Sequence, residues 1–276
     1  MNTSNPIQSV LLMTTSLKGG GGKSTLANAF VDYARRMQLP MAAYDADGAI
    51  GSLSHMHASR DARGNLVSPQ DPLCGVVDYN IRDDTRSMLF NSVDKGHTLI
   101  MHDMAGGSLM DVQRVLDDHD GLTNFFRGMN ATGTLPVFLH LVTPDASTVA
   151  SVKRHLDLTE ELGALAQEAR HIAVLNRHGN RKDRDFPDWF GYVDGEGVTW
   201  GGKTRARLFD MGGAEMDLPS LNDRTMALVK DLRVPFSDAV DNKRLDANDR
   251  LRVRIFVQDF EKALTPQVRH LTGISQ

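Results

Sequence analysis

The stretches LKGGGGKST, Leu17 to Thr25, and GVTWGGKT, Gly197 to Thr204, compete for one reading. The second matches the phosphate-loop pattern GxxxxGK[ST] at every fixed position, whereas the first has Leu17 in place of the leading glycine. Context decides between them. A phosphate loop needs a buried strand that delivers the chain into a tight turn of convergent amides, and a helix that starts with its positive end at the anion. Before Lys18 the sequence reads VLLMTTS, an apolar run suited to a buried strand; after Gly22, Leu26, Ala29, Phe30, Tyr33, Ala34 and Met37 recur at helical spacing. Gly19, Gly20, Gly21 and Gly22 permit the positive φ angles and close approach that phosphate requires. The rival follows the short polar GYVDGE, and Gly212 and Gly213 would soon stop any helix begun at Lys203. The imperfect match is therefore the site.

Working outward, short apolar runs recur at Val10 to Met13, Met41 to Tyr44, Thr98 to Met101, Leu135 to Val142 and Ile172 to Leu175. Helical patterns separate them at Ser24 to Met37, Asp83 to Val93 and Ala146 to Leu162. Strands alternating with helices predict an α/β fold, a mostly parallel twisted sheet flanked by helices. From Gly179 to Pro219 the pattern degrades into polar, glycine-rich sequence holding both tryptophans, which reads as an insertion or mobile flap. Helix-like sequence resumes at Leu221 to Leu232, and Asp249 to Leu264 places Val253, Phe256, Val257, Phe260 and Leu264 on one face. With 276 residues, 41% of them hydrophobic, the chain is expected to form one domain over 1–276.

The formal net charge of -4 exerts no global pull toward nucleic acid or an anionic membrane, so such contacts need local patches. A single cysteine, Cys74, excludes an intrachain disulfide framework and a cluster held by several thiolates of one chain. The start MNTSNPIQS has no basic region followed by an apolar run, and no stretch approaches the roughly 18 apolar residues of a membrane span. A reducing cytoplasm is the expected location.

The double-lysine form KGGGGKST resembles the deviant Walker A motif, KGGxGK[ST], of the ParA/MinD family of P-loop ATPases, where the position of Leu17 is often not glycine. The resemblance implies ATP and Mg²⁺ as cofactors. It implies that Lys23 binds the β- and γ-phosphates of its own nucleotide, and that Lys18 reaches across a dimer interface to the partner's. Ser24 would ligate Mg²⁺ and Thr25 would bond the α-phosphate.

The second apolar run ends in YDADG, which is similar to the family's DxD element. Strand alternation predicts Asp45 and Asp47 on one side of the backbone; the resemblance implies that Asp47 orients the attacking water and that Asp45 supports it at the metal. The run TLIMHDMAGG resembles Walker B followed by a switch, which gives Asp103 a water on Mg²⁺ and makes Gly106 and Gly107 the responsive loop. Each of these aspartates also suits a plain strand-end turn, or in the case of Asp103 a cap on the helix around Asp111. Asn176, at the strand end within HIAVLNRHG, and Pro219, in MDLPSL, fall where the resemblance implies residues flanking adenine, though asparagine also favours strand ends for turn reasons alone. His102 is expected in the core or an interface, and His55 and His57 are expected as loop or switch residues without a third metal ligand.

Members of the family are switches in which ATP closes a homodimer, a protein activator stimulates slow hydrolysis, and a surface or cargo is positioned. DNA is the expected surface. Lys243, Arg244, Arg250, Arg252 and Arg254 stand against only Asp246 and Asp249 locally, and Lys203, Arg205 and Arg207 form another cluster. Such runs are also ordinary solvated faces. The tail PQVRHLTGISQ has few apolar anchors, so membrane targeting is not expected. The resemblance extends over most of residues 7 to 235, and the irregular segment before GGAEMDLPSL is similar to the plasmid StbB/TraL branch, linked to partition and conjugation. An ATP-dependent synthetase or kinase acting on a small molecule is the alternative. A bacterial tyrosine kinase would want a tyrosine-rich tail, and a reductase component would need bridging cysteines.

Overall fold

The structure is a computed structural model that describes residues 6–16, 19–48, 51–107 and 120–274. Its strands are β1 Ser9–Thr15, β2 Met41–Asp45, β3 Val77–Asp78, β4 Leu99–Asp103, β5 Thr134–Val142, β6 Arg170–Asn176, β7 Tyr192–Val193, β8 Thr199–Trp200 and β9 Ala214–Leu218. Among the described residues, seven of these make one sheet in the order β3-β2-β4-β1-β5-β6-β9, while β7 and β8 pair separately as a hairpin. Every pairing in the large sheet is parallel, with Leu12 of β1 opposite Met101 of β4 and Val137 of β5. The apolar runs are continuous because both faces of the central strands are covered.

The helices are α1 Lys23–Arg36, α2 Ser52–His57, α3 Met88–Asn91, α4 Gly121–Thr132, α5 Ala146–Leu162, α6 Pro187–Phe190, α7 Lys203–Asp210, α8 Asp223–Leu232, α9 Phe236–Ala239, α10 Ala247–Ala263 and α11 Pro266–Thr272. Alternation along β1 divides the core. Leu12 joins Leu26 and Phe30 of α1 and Phe256 and Phe260 of α10 on one face, while Leu11 and Met13 meet Phe125 and Met129 of α4 on the other. The α1 spacing buries Leu26, Ala29, Phe30, Tyr33 and Ala34, the residues expected to face inward.

Several elements depart from the sequence reading. The helix expected from Asp83 to Val93 is broken into a tight turn at Asp84–Ser87, the short α3 and another turn at Val93–Lys95. Side chains compete with the helix there: Asp83 accepts from the Thr85 amide at 2.8 Å, and the Ser92 hydroxyl donates to the Leu89 carbonyl at 2.8 Å. Helix α4 escaped notice because its sequence, GLTNFFRGMNAT, mixes glycine and asparagine into the apolar spacing.

The segment expected as an insertion or mobile flap is folded. It builds α6, the β7–β8 hairpin and α7, and returns as β9, which pairs in register with β6 from Ile172↔Ala214 to Asn176↔Leu218. Phe186, Trp189 and Leu208 are buried with Val142 and Leu175 under the sheet. The GGKT stretch lies here as well. Gly202 takes a left-handed turn (φ +73°) before α7, and the preceding strand is the exposed two-residue β8 rather than a buried one. At the other end, α11 seats Val268, Leu271 and the following Ile274 in the core, so the tail's apolar residues are already covered. Among the described residues no helix is long and apolar enough to cross a membrane.

Candidate functional site

Strand β1 and helix α1 bring the glycines to the carboxyl edge of the sheet. Gly20 (φ +77°) and Gly22 (φ +99°) are left-handed, and α1 begins at Lys23 with no side-chain cap on its first amides. Those amides and the positive helix end therefore face outward, ready for an anion. A Cβ added at Gly19 or Gly20 would meet nothing within 4 Å, whereas one at Gly22 would come within 2.7 Å of Asn176 Nδ2. The cradle opens into a cavity of ≈ 600 Å³ that runs from the glycines and Thr25 past Asn176 to Pro219 and Met226, within the usual size for a small-molecule site. A wider groove of ≈ 1140 Å³ adjoins it and shares Arg181 and Pro219, but it is open and its Arg177 is already paired to Asp183 and Asp217.

Lys23 is only 8% exposed. Burial lowers its pKa, Asp103 and Asp47 push it back up, and Arg82 lowers it again, so four charges meet at this point. Asp103, at the end of β4, is 2% exposed and accepts hydrogen bonds from the Ser24 hydroxyl and, at 3.0 Å, from Thr14 Oγ1. Thr14 in turn accepts from the Met104 amide at 2.9 Å, which fixes where β4 releases the chain. Burial together with mutual proximity holds the Asp45 and Asp103 carboxyls above the usual carboxylate range. A hydroxyl and a carboxylate meeting beside a buried lysine at a helix N-terminus is an oxygen donor set suited to a hard divalent cation and its phosphate ligand.

Asp45 and Asp47 differ in burial, and β2 ends at Asp45, so the strand alternation expected to relate them does not extend to Asp47. Asp45 is fully buried and accepts from the amides of Leu53 at 3.1 Å and Ser54 at 3.2 Å, holding the start of α2. Its carboxylate fills the space where a Cβ on Gly51 would fall. Asp47 is exposed, and its charge reaches both Lys23 and Asp103. Asn176 donates from Nδ2 to the Gly21 carbonyl at 2.9 Å and so ties the glycine loop to β6. Gly107 N donates to the Ser16 carbonyl at 3.0 Å, which fastens the loop after Asp103 to the root of the glycine loop. Lys18, assigned the trans role, and Asp111 lie outside the described residues.

Among solved structures, the chain is similar to an ATP complex of a McdA variant from Cyanothece, at 12% identity over 99% of each chain with a TM-score of 0.50. The fold is that of the ParA/MinD-type ATPases. The MinD proteins of Aquifex aeolicus (13% identity, 97% of this chain and 98% of that one, TM-score 0.48) and Pyrococcus furiosus (19%, 92% and 99%, 0.45) are further neighbours. No protein-family model and no curated protein matches the chain.

In this ParA/MinD-type frame the basic clusters look different from their sequence. Arg205 is spent on Glu215 at 2.8 and 3.3 Å and Arg207 on Asp157 at 2.5 Å and Glu160 at 2.7 Å. Arg252 pairs with Asp249 at 3.3 Å, Arg254 with Asp241 at 2.9 Å, and Arg250 caps the Leu245 carbonyl at 2.5 Å. Local counting missed partners such as Glu215 and Glu160 that the fold brings from other elements. Exposed Lys203, Lys243 and Arg244 carry what remains of these two patches.

His102 is where the sequence reading expected it, whereas His55 and His57 lie in helix α2 rather than in a loop, with His57 buried. His102 is buried, sharing hydrogen bonds with Tyr79 OH at 2.8 Å and Ser92 Oγ at 3.0 Å. His55 and His57 meet the carbonyls of Lys230 and Asn28, and no cluster of metal-binding side chains stands among the described residues. Two site residues escaped the sequence reading. Thr14 sat inside an apolar run that already had a structural explanation, and Arg82 belongs to the polar stretch YNIRDD, which follows no pattern.

Proposed function

We propose that this protein is an ATP-dependent dimerising switch of the ParA/MinD type, which hydrolyses ATP slowly and positions a cargo, with plasmid DNA or a partition or conjugation complex as the expected cargo. The observation that carries the reading is the buried Lys23 at the open N-terminus of α1, bracketed by Asp103 and Asp47, with Ser24 bonded to Asp103. Magnesium bound there would neutralise phosphate charge and align the triphosphate. The glycine amides and Lys23 would hold the phosphates, Ser24 and Asp103 the metal and its water, and Thr25 the α-phosphate. Exposed Asp47 would orient the attacking water. Asn176, already bonded to Gly21, would couple the adenine side of the cavity, with Pro219, to the phosphate side.

Because Asp45 is occupied with α2, its role in this scheme is to hold the loop that carries Asp47 rather than to meet the metal directly. Dimerisation through Lys18 would make ATP binding and assembly the same event, since a ligand shifts an equilibrium only by its differential affinity for the two states. The McdA neighbour in its ATP complex supports the choice of ligand.

Light scattering of Asp47→Ala with Mg²⁺ and either nucleotide tests the reading. A dimer with ATP and a monomer with ADP is expected, and Lys18→Ala added to it should abolish the dimer. ATP turnover that requires a small metabolite and proceeds in a monomer would overturn the switch in favour of a synthetase.

A further inference from the structure

Arg82 belongs to no motif, yet the fold brings it to the nucleotide end of the sheet. The chain after β3 runs beside the end of β2: Gly48 N donates to the Tyr79 carbonyl at 3.0 Å, Ile81 N donates to the Ala46 carbonyl at 3.2 Å, and Asp47 and Asn80 form a bridge. Arg82 is thus carried on the same ribbon as Asp47. Its Nη2 donates to the Gly106 carbonyl at 2.5 Å, in the loop that follows Asp103. That loop is held from the other side by the bond from Gly107 N to Ser16. The guanidinium therefore stands between the Asp47 ribbon and the Asp103 loop.

Its charge is felt by Lys23, which it disfavours as a cation. A backbone carbonyl is a neutral acceptor, and a phosphate oxygen is a stronger partner for a guanidinium, commonly through two parallel bonds. A phosphate oxygen is thus a stronger partner for Arg82 than the Gly106 carbonyl.

We propose that Arg82 is a catalytic cation for the terminal phosphate of the bound nucleotide, supplied by the same subunit and held on the Gly106 carbonyl until that phosphate arrives. The inference rests on the nucleotide reading above and adds to it a group that tells triphosphate from diphosphate. When Arg82 turns to phosphate it releases Gly106, so the loop after Asp103 changes its tether only for the triphosphate. Arg82 then stabilises the charge on the oxygens of the departing phosphoryl group, as an arginine supplied in cis does elsewhere.

The test is calorimetric titration of full-length protein with Mg²⁺ and either ADP or a non-hydrolysable ATP analogue, alongside steady-state ATP turnover, for the wild type, Arg82→Gln and Arg82→Lys. Arg82→Gln is expected to leave ADP affinity within about threefold, to weaken the triphosphate analogue about tenfold or more, and to slow turnover by about 10²-fold or more. Arg82→Lys should restore part of the triphosphate preference. Because the side chain is exposed, both variants should melt with the wild type. If Arg82→Gln slows turnover but keeps the wild-type ratio of the two affinities, Arg82 only tethers the loop and the proposal is overturned; unchanged ratio and turnover overturn it too. A wild type that binds neither nucleotide removes the nucleotide reading and this inference together.

Discussion

Gly22 shows how much one residue settles. Its φ of +99° turns the chain from the cradle into α1, and the space where a Cβ would stand is taken by Asn176 Nδ2 at 2.7 Å and Leu218 Cδ2 at 3.2 Å. Gly22→Ala is therefore expected to cost about 1–2 kcal/mol from backbone strain alone and to displace Asn176 from Gly21. Urea unfolding would show the loss, and nucleotide titration would show weaker binding of ADP and ATP alike; an unchanged affinity for both would mean that Asn176 does not support the loop. At this scale the sequence was informative where chemistry and spacing coincide, as at Lys23, Ser24 and Asp103. It was silent on Arg82, whose place depends on a ribbon pairing between residues 46–48 and 79–81 that no local pattern encodes. It carried strand alternation from Asp45 to Asp47, past the end of β2.

At the level of elements, the outcome followed burial. Strands β1, β2, β4, β5 and β6 are buried along nearly their whole length and carry apolar runs because both faces are covered, and each was legible. Strand β9 reads AEMDL, with Ala214, Met216 and Leu218 buried and Glu215 and Asp217 alternating to the other face, so its charges hid it inside an irregular stretch. Helix α10 was legible from one face only, and that face is its structural contribution. Phe256 is 1% exposed against Phe236 at a ring separation of 4.7 Å, while the adjacent Ile255 is 47% exposed. Phe256→Ala should cost about 3–5 kcal/mol, whereas Ile255→Ala should stay within about 0.5 kcal/mol. Comparable losses in urea unfolding would mean that α10 does not pack as described.

Across the whole molecule, buried histidines make stability depend on acid. His140, His155 and His171 stack under β5, β6 and α5, where Thr15 and Thr159 close a hydrogen-bonded row: Thr15 to His140 at 2.9 Å, His140 to His171 at 2.9 Å and His171 to Thr159 at 3.1 Å. Burial above all lowers His155 to about 4, against a hydrogen bond from its ring to the Ser151 carbonyl, and lowers His171 to about 3; burial and the two neighbouring histidines hold His140 well below its usual value. A folded pKa below the unfolded one means that protons bind the unfolded chain preferentially. Stability from these groups is thus complete above about pH 6.5 and falls as the pH drops toward 3–4, by about 1.4 kcal/mol per pH unit for each histidine. His171→Gln should flatten that dependence by about one histidine's share in urea unfolding between pH 7 and 4.5. An unaltered slope would exclude His171 as a source.

The folded segment that returns as β9 also decides what light reports from this molecule. Both tryptophans belong to it: Trp189 is buried and donates its indole N–H to Glu215 at 2.7 Å, and Trp200 is 52% exposed on the hairpin and donates to Asp194 at 2.7 Å. Intrinsic tryptophan emission is consequently a local signal, blind to the distant β3 edge. A soluble quencher divides it in two, since Trp200 is open to collision and Trp189 is shielded, so the protected fraction follows the attachment of β9 to the sheet beside the cavity.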